Sequence, residues 1–219
     1  PLPDEFSRYG TFDALAENSR MQVRELVAGL DPATAEPGTD AKKIADLYAM
    51  GMDSVRLNNE GAAPVLADIE RINAADRSQL VDLMATLPGL DIFYNTGVEA
   101  DLMNSTMNTM YWSQGGLGLG DRDYYTDNTE RSAQVLEAYN NYLTTLATLA
   151  GYSADEAARL AANTIAIEKE LAAAQMTNTE LRDIEKQYNP RAVAQLDEQY
   201  PRLALARYFA LQNLENVDT

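Results

Sequence analysis

Apolar residues recur at steps of three and four along most of this chain, and each run is stopped by proline, glycine or a capping residue. That spacing lines apolar side chains along one face of an α-helix, and the stops divide the chain into separate helices. The first stripe is Phe12, Leu15, Ala16, Ser19, Val23, Leu26, Val27 and Leu30, with Thr11 as its expected N-cap. Asp31-Pro32 and Glu36-Pro37-Gly38 break it. A second helix is expected from about Asp40, with Ile44, Leu47, Tyr48, Gly51, Met52 and Val55 on one face. Pro64 suits the first turn of a third, with Leu66, Ile69 and Ile72 inward, and a fourth carrying Leu80, Leu83, Met84 and Leu87 stops at Pro88-Gly89.

The middle of the chain changes character. Ile92 to Val98 and Met107 to Trp112 are rich in β-formers and bracketed by turn-prone residues, which predicts a two-stranded hairpin. A glycine-rich loop follows from Gln114 to Tyr125, then a long helix with Val135, Leu136, Tyr139, Tyr142, Leu143, Leu146 and Leu149, ended by Gly151. Ser153 and Glu156 are spaced as a capping box for a helix with Leu160, Ile167 and Leu171, and Thr177 with Glu180 repeats the device. Asn189-Pro190 and Tyr200-Pro201 punctuate two short final helices. No fixed period recurs, which argues against a helical solenoid. The expected fold is mainly α, a multi-helix domain with one small β-hairpin insertion around residues 92–113.

Composition narrows the chemistry. With 34 acids against 17 Lys plus Arg, the formal charge of −17 repels a nucleic-acid backbone, so no nucleic-acid partner is expected. The chain has no cysteine and no histidine, which removes disulfides, thiolate sites and the commonest zinc ligand and general base. No apolar run is long enough to span a bilayer.

Local patterns offer little catalysis. The run Gly115-Gly116-Leu117-Gly118-Leu119-Gly120 lacks the Lys-Ser/Thr of a phosphate loop and meets Asp121 instead, so it reads as a structural turn. Asp121-Arg122-Asp123 with Asp127 has no glycine at the sixth position of a calcium loop and Ser132 at the twelfth, and reads as a solvated or salt-bridged loop. Glu168 and Glu170, two apart on a helix, point in different directions and read as surface charge. Glu36 and Asp40 flank Pro37-Gly38 and cannot share a helix face. Met103, Met107 and Met110 read as hairpin-edge and core fillers.

Several stretches, in order, resemble one family. Ser7-Arg8-Tyr9-Gly10-Thr11-Phe12-Asp13, Lys43 to Ala49 with Met52-Asp53, Gly61 to Leu66, and above all Gln114-Gly115-Gly116-Leu117-Gly118-Leu119-Gly120-Asp121-Arg122-Asp123-Tyr124-Tyr125 are similar to neprilysin-like zinc endopeptidases. Glu168 to Ala172 and Leu181 to Asn189 resemble later helices of that family. The resemblance covers nearly the whole chain. It implies that residues 1–219 are part of the helical N-terminal domain, with the zinc ligands, a His-Glu-x-x-His helix and a later Glu, in a separate C-terminal catalytic domain.

What the resemblance implies for function is a lobe that faces the catalytic domain across a closed cavity, limits entry to small peptides and lends substrate contacts. Alone it would be non-catalytic and hold no cofactor. Its expected partners are that catalytic domain and small peptides, in an extracytoplasmic setting, and an apolar patch left uncovered would favour self-association. Arg8 stands where the family places an arginine on the substrate's C-terminal carboxylate, with Phe12 and Asp13 at neighbouring subsite positions. Neprilysin has a second arginine eight residues on, where this chain has Ala16, so a two-arginine clamp is not carried over. The plainer readings are an ion pair of Arg8 with Asp4, Glu5 or Asp13, and a core place at the helix start for Phe12. A free-standing extracytoplasmic helical module binding a peptide or partner is the alternative function.

Overall fold

The computed structural model describes residues 9–87, 89 and 92–214, and its contacts divide the chain into two units, Pro1–Gly61 and Ala62–Thr219. In the first unit, α1 spans Thr11–Ala28, so Thr11 is the first helical residue and not the cap. Gly10 takes the cap position without a side chain to offer. Asp13 reaches back instead, its carboxylate accepting from the Gly10 N–H at 2.8 Å. α2 (Asp40–Met52) is capped by the Thr39 hydroxyl. The stripe expected to run on to Val55 is broken, because the Asp53 carboxylate accepts from the Arg56 N–H at 3.0 Å and starts α3 (Ser54–Glu60) afresh. Ala45 is buried, whereas Leu15, Val23 and Leu26 on α1 and Leu47 on α2 are exposed.

The second unit starts with α4 (Ala63–Ala74), where Pro64 sits in the first turn as its missing N–H allows. Leu66 and Ile72, expected inward, are exposed. α5 (Leu80–Thr86) follows a one-turn 3₁₀ segment and ends at Leu87; Pro88, half of the predicted stop, lies outside the described residues. β1 (Tyr94–Ala100) and β2 (Asn108–Gln114) form the predicted antiparallel hairpin, in a register running from Tyr94 opposite Gln114 to Ala100 opposite Asn108. After the glycine loop come α6 (Asp123–Thr126), α7 (Glu130–Leu149), α8 (Ala154–Ala174), α9 (Ile184–Gln187), α10 (Val193–Gln199) and α11 (Leu205–Leu211). The Ser153–Glu156 capping box opens α8 as expected, while the similar Thr177–Glu180 pair precedes only a 3₁₀ turn.

Two packing centres organise this unit. Strand alternation puts Tyr94, Thr96, Met110 and Trp112 on one face of the hairpin. Tyr94 stacks on Trp112 with centroids 4.2 Å apart, and Met110 and Trp112 pack against buried Ala85, Leu205, Tyr208 and Phe209. The N-terminus of α11 follows Ala204, whose φ of +45° is unusual for a residue with a side chain. The Asp197 carboxylate stabilises this turn by accepting from the Leu205 and Ala206 amides at 2.8 and 3.3 Å. An exposed Arg207–Asp82 ion pair joins α11 to α5 and adds little.

The second centre lies between α6, α7 and α8. The apolar stripe of α8 is not its buried face: Leu160 and Ile167 are 39% and 52% exposed, while Ala157, Ala161, Glu168 and Ala172 are buried. Those four positions are spaced by four, seven and four residues, which keeps them on one helix face. Alanines leave room for close approach, so contact here is made by backbone and small side chains.

The glycines of the loop differ in what they require. Gly116 has φ +80°, and a Cβ there would lie 1.9 Å from the Ile92 carbonyl oxygen, whereas Gly120 has φ +72° with open space around it. Gly116→Ala is therefore expected to cost more than about 3 kcal/mol, and Gly120→Ala about 1–2 kcal/mol for backbone strain alone. Urea unfolding of the two variants checks the order.

Candidate functional site

The predicted contact residues cluster at the start of α1. Arg8 lies outside the described residues. Phe12 is 86% exposed on the first turn, so it is not the core residue that the plainer reading made it. Asp13 is occupied locally, holding the Gly10 amide and so fixing the backbone where α1 begins. One helical turn on, the Glu17 carboxylate accepts from the Tyr9 hydroxyl at 2.8 Å, and this hydrogen bond raises the phenol above its ordinary pKa. This end of α1 thus presents an exposed aromatic ring beside a backbone held by Asp13 and a tyrosine hydroxyl held by Glu17.

The loop with the most specific family likeness is held by a residue misread as surface charge. Glu168 is only 7% exposed. Its Oε1 accepts from the Tyr139 hydroxyl at 3.0 Å and the Gly118 N–H at 3.1 Å, and its Oε2 accepts from the Tyr125 hydroxyl at 2.9 Å. Tyr125 in turn accepts from the Leu119 N–H at 3.0 Å. Gly118 is required at this point, since a Cβ would fall 1.9 Å from the Tyr139 hydroxyl. Glu170, two residues on, is exposed, as its surface reading expected. The missed signal was the alanine spacing of α8, which puts a carboxylate in line with residues small enough to be buried.

Further bonds tie the loop to the C-terminal end of α8. The Gln114 side chain pairs with both the amide and carbonyl of Met176, at 2.8 and 3.2 Å. The Gln175 side chain donates to the Gly115 carbonyl at 2.7 Å, and the Arg122 guanidinium donates to the Ala172 carbonyl at 3.1 Å. Of these, the Ala172 carbonyl lies in the last turn of α8 and also accepts from the Gln175 amide at 3.3 Å. Arg122 also pairs with Asp123, while the Asp121 carboxylate accepts from the Asp123 amide and the Asn178 side chain. The arrangement fixes backbone, and its donor set does not suit zinc. The sequence has neither His nor Cys, and among the described residues no three carboxylates come together as a metal site.

Comparison with known proteins agrees with this architecture. The fold matches Mycobacterium tuberculosis zinc metalloprotease Zmp1 in complex with an inhibitor, at TM-score 0.79 and 30% identity, over 94% of this chain and 32% of that one. It also matches PepO from Lactobacillus rhamnosis HN001 at TM-score 0.77 over the whole of this chain and 38% of that one, where 18% identity supports the fold alone. These likenesses define the fold: a mainly helical region with one two-stranded hairpin among the described residues. The chain belongs to peptidase family M13, whose N-terminal-region profile matches residues 1–219. Endothelin-converting enzyme 1 of Homo sapiens is 34% identical over 172 residues, 73% of this chain and 21% of that protein. Neprilysin-3 of Drosophila melanogaster is 26% identical over 222 residues, 95% of this chain and 28% of that protein. The chain thus spans between about a fifth and under a third of the length of these relatives. Among the described residues, no helix is long and apolar enough to cross a membrane.

Two expectations follow from the Glu168 network. Glu168→Ala strands the buried Tyr125 hydroxyl, the half-buried Tyr139 hydroxyl and an amide, and is expected to destabilise the second unit by about 2–4 kcal/mol in urea titrations, with Tyr139→Phe costing about 1–2 kcal/mol. Burial, and the hydrogen bond to Glu168, push the Tyr125 and Tyr139 phenols far above their ordinary 10.0. Their contribution is fully present below that value and is lost above it, because the unfolded chain then releases protons that the folded chain keeps. Stability is therefore expected to fall from about pH 10 upward, and less steeply in Tyr139→Phe.

Proposed function

We propose that this chain is the helical, substrate-facing part of a zinc-dependent endopeptidase that cleaves small peptides. In this reading it is non-catalytic alone, and a C-terminal zinc domain of the same polypeptide supplies the metal and the reaction. The observation that carries the reading is the family match along the whole chain, joined to a donor set without His or Cys. The relatives add support, since Zmp1 is a zinc metalloprotease and endothelin-converting enzyme 1 is named for its converting activity. An extracytoplasmic location belongs to the same proposal.

Within it, Arg8 receives the C-terminal carboxylate of the peptide, Phe12 offers its exposed ring to a peptide side chain, and Asp13 positions the segment through the Gly10 amide. A guanidinium presents two parallel donors to the two oxygens of a carboxylate, which lysine cannot do. Exposed Leu15, Val23 and Leu26 provide apolar surface that a partner domain would cover, and that would favour self-association when left bare.

The pure 219-residue chain is expected to show no peptide cleavage. Cleavage blocked by a chelator and restored by zinc would contradict the proposal. In a full-length enzyme, Arg8→Met should lower kcat/KM for a short peptide acid by about ten- to a hundredfold, the equivalent of roughly 1.5–3 kcal/mol, and the matching amide much less. An equal fall for both, or none, would make Arg8 structural.

A further inference from the structure

A cavity of about 380 Å³ opens in the second unit between β2, the 187–191 segment, α10 and α11. It shares no residue with the start of α1 or with the Glu168 network. Its volume lies at the small end of the range for pockets that enclose a small molecule, roughly 300–1,000 Å³. Its walls are aromatic and aliphatic, with Trp112, Tyr188, Tyr200 and Phe209 among them, and two charged side chains line it, Asp101 and Arg191.

Those two charges are not equivalent. Asp101 is already saturated: it accepts from the Met103 and Asn104 amides, each at 2.8 Å, from the Tyr188 hydroxyl at 3.1 Å and from Thr109 at 3.3 Å. Its lone pairs are spent on closing the hairpin turn and holding Tyr188, which leaves little for an incoming cation. Arg191 is the reverse. Its guanidinium donates to the Pro190 carbonyl at 2.9 Å and, among the described residues, meets no carboxylate within ion-pair distance, in a chain with twice as many acids as bases. An arginine has five N–H donors, so most of this fork, which is exposed, is open to an incoming anion at the rim of the cavity.

From this charge complementarity we infer that the cavity binds a small organic carboxylate with an aromatic or similarly sized apolar body. The body lies among the rings of Trp112, Tyr188 and Phe209, and the carboxylate takes the Arg191 fork. An aromatic body suits offset or edge contact with those rings, and the planar guanidinium matches the two oxygens of the acid. A neutral analogue of the same shape keeps the ring contacts and loses the charged pair. This site stands independently of the proposed peptidase role, because none of its residues takes part in that reading.

Trp112 is the only tryptophan of the chain and lies in the cavity wall, so its fluorescence reports occupancy directly. The test titrates the full 219-residue chain with 4-phenylbutyrate and, in parallel, with 4-phenylbutanamide. The acid is expected to shift Trp112 emission and to bind at least about tenfold more tightly than the amide. Arg191→Gln should bring the acid down to the amide's affinity while leaving the amide's own affinity unchanged, which also shows that the variant is folded. Arg191→Lys should retain part of the difference. The inference is overturned if millimolar acid leaves Trp112 emission unaltered, if acid and amide bind equally, if Arg191→Gln keeps the preference, or if that variant loses the amide as well.

Discussion

A single buried carboxylate holds the second unit's signature loop in place. Glu168 gathers the Tyr125 and Tyr139 hydroxyls and the Gly118 amide, and so joins α6, α7, the glycine loop and α8 at one point. Taking a carboxylate out of water is costly, and the cost is met here by three hydrogen bonds to the charged acceptor, which are stronger than neutral ones. The same carboxylate dictates its surroundings. Alanines at 157, 161 and 172 keep the helix face shallow, and Gly118 leaves room for the Tyr139 hydroxyl. A buried charge with fixed partners also penalises alternative packings, since each would leave it unpaired.

The helices and the hairpin were legible because they depend on local chemistry. Pro64 in a first turn, the Ser153–Glu156 box and the β-rich stretches on either side of residue 101 all act within a few residues of themselves. Burial was much less legible. Leu160 and Ile167 look like a core stripe yet face outward, because the contact on α8 is set by small side chains and one carboxylate, not by the largest apolar groups. Capping failed where a rival residue was available: Asp13 serves Gly10 from inside α1, and Asp53 restarts the helix that apolar spacing would have continued. The Arg122 bond to Ala172 joins positions distant along the chain, and the Asp197 cap on α11 reaches back from the preceding helix, so neither follows the local spacing of a cap.

For the proposed contact site, the sequence offered a segment and no geometry. The likeness around Ser7 to Asp13 pointed to the segment, and the structure adds an exposed Phe12 ring and a backbone fixed by Asp13. Exposed apolar residues on α1 and α2 fit a chain that spans only part of the length of its family relatives. The chain has no His and no Cys, so it offers neither the imidazole nor the thiolate ligands usual at a zinc site.

Glu168 holds the glycine loop as firmly as the helices beneath it are held. Native-state hydrogen exchange at the Gly118 and Leu119 amides tests this most directly, since one donates to Glu168 and the other to Tyr125. The account predicts that both exchange only with the opening of α7 and α8, at a free energy close to that of the slowest helical amides. Exchange of these two amides at the rate of an exposed loop, while α8 stays protected, would contradict it.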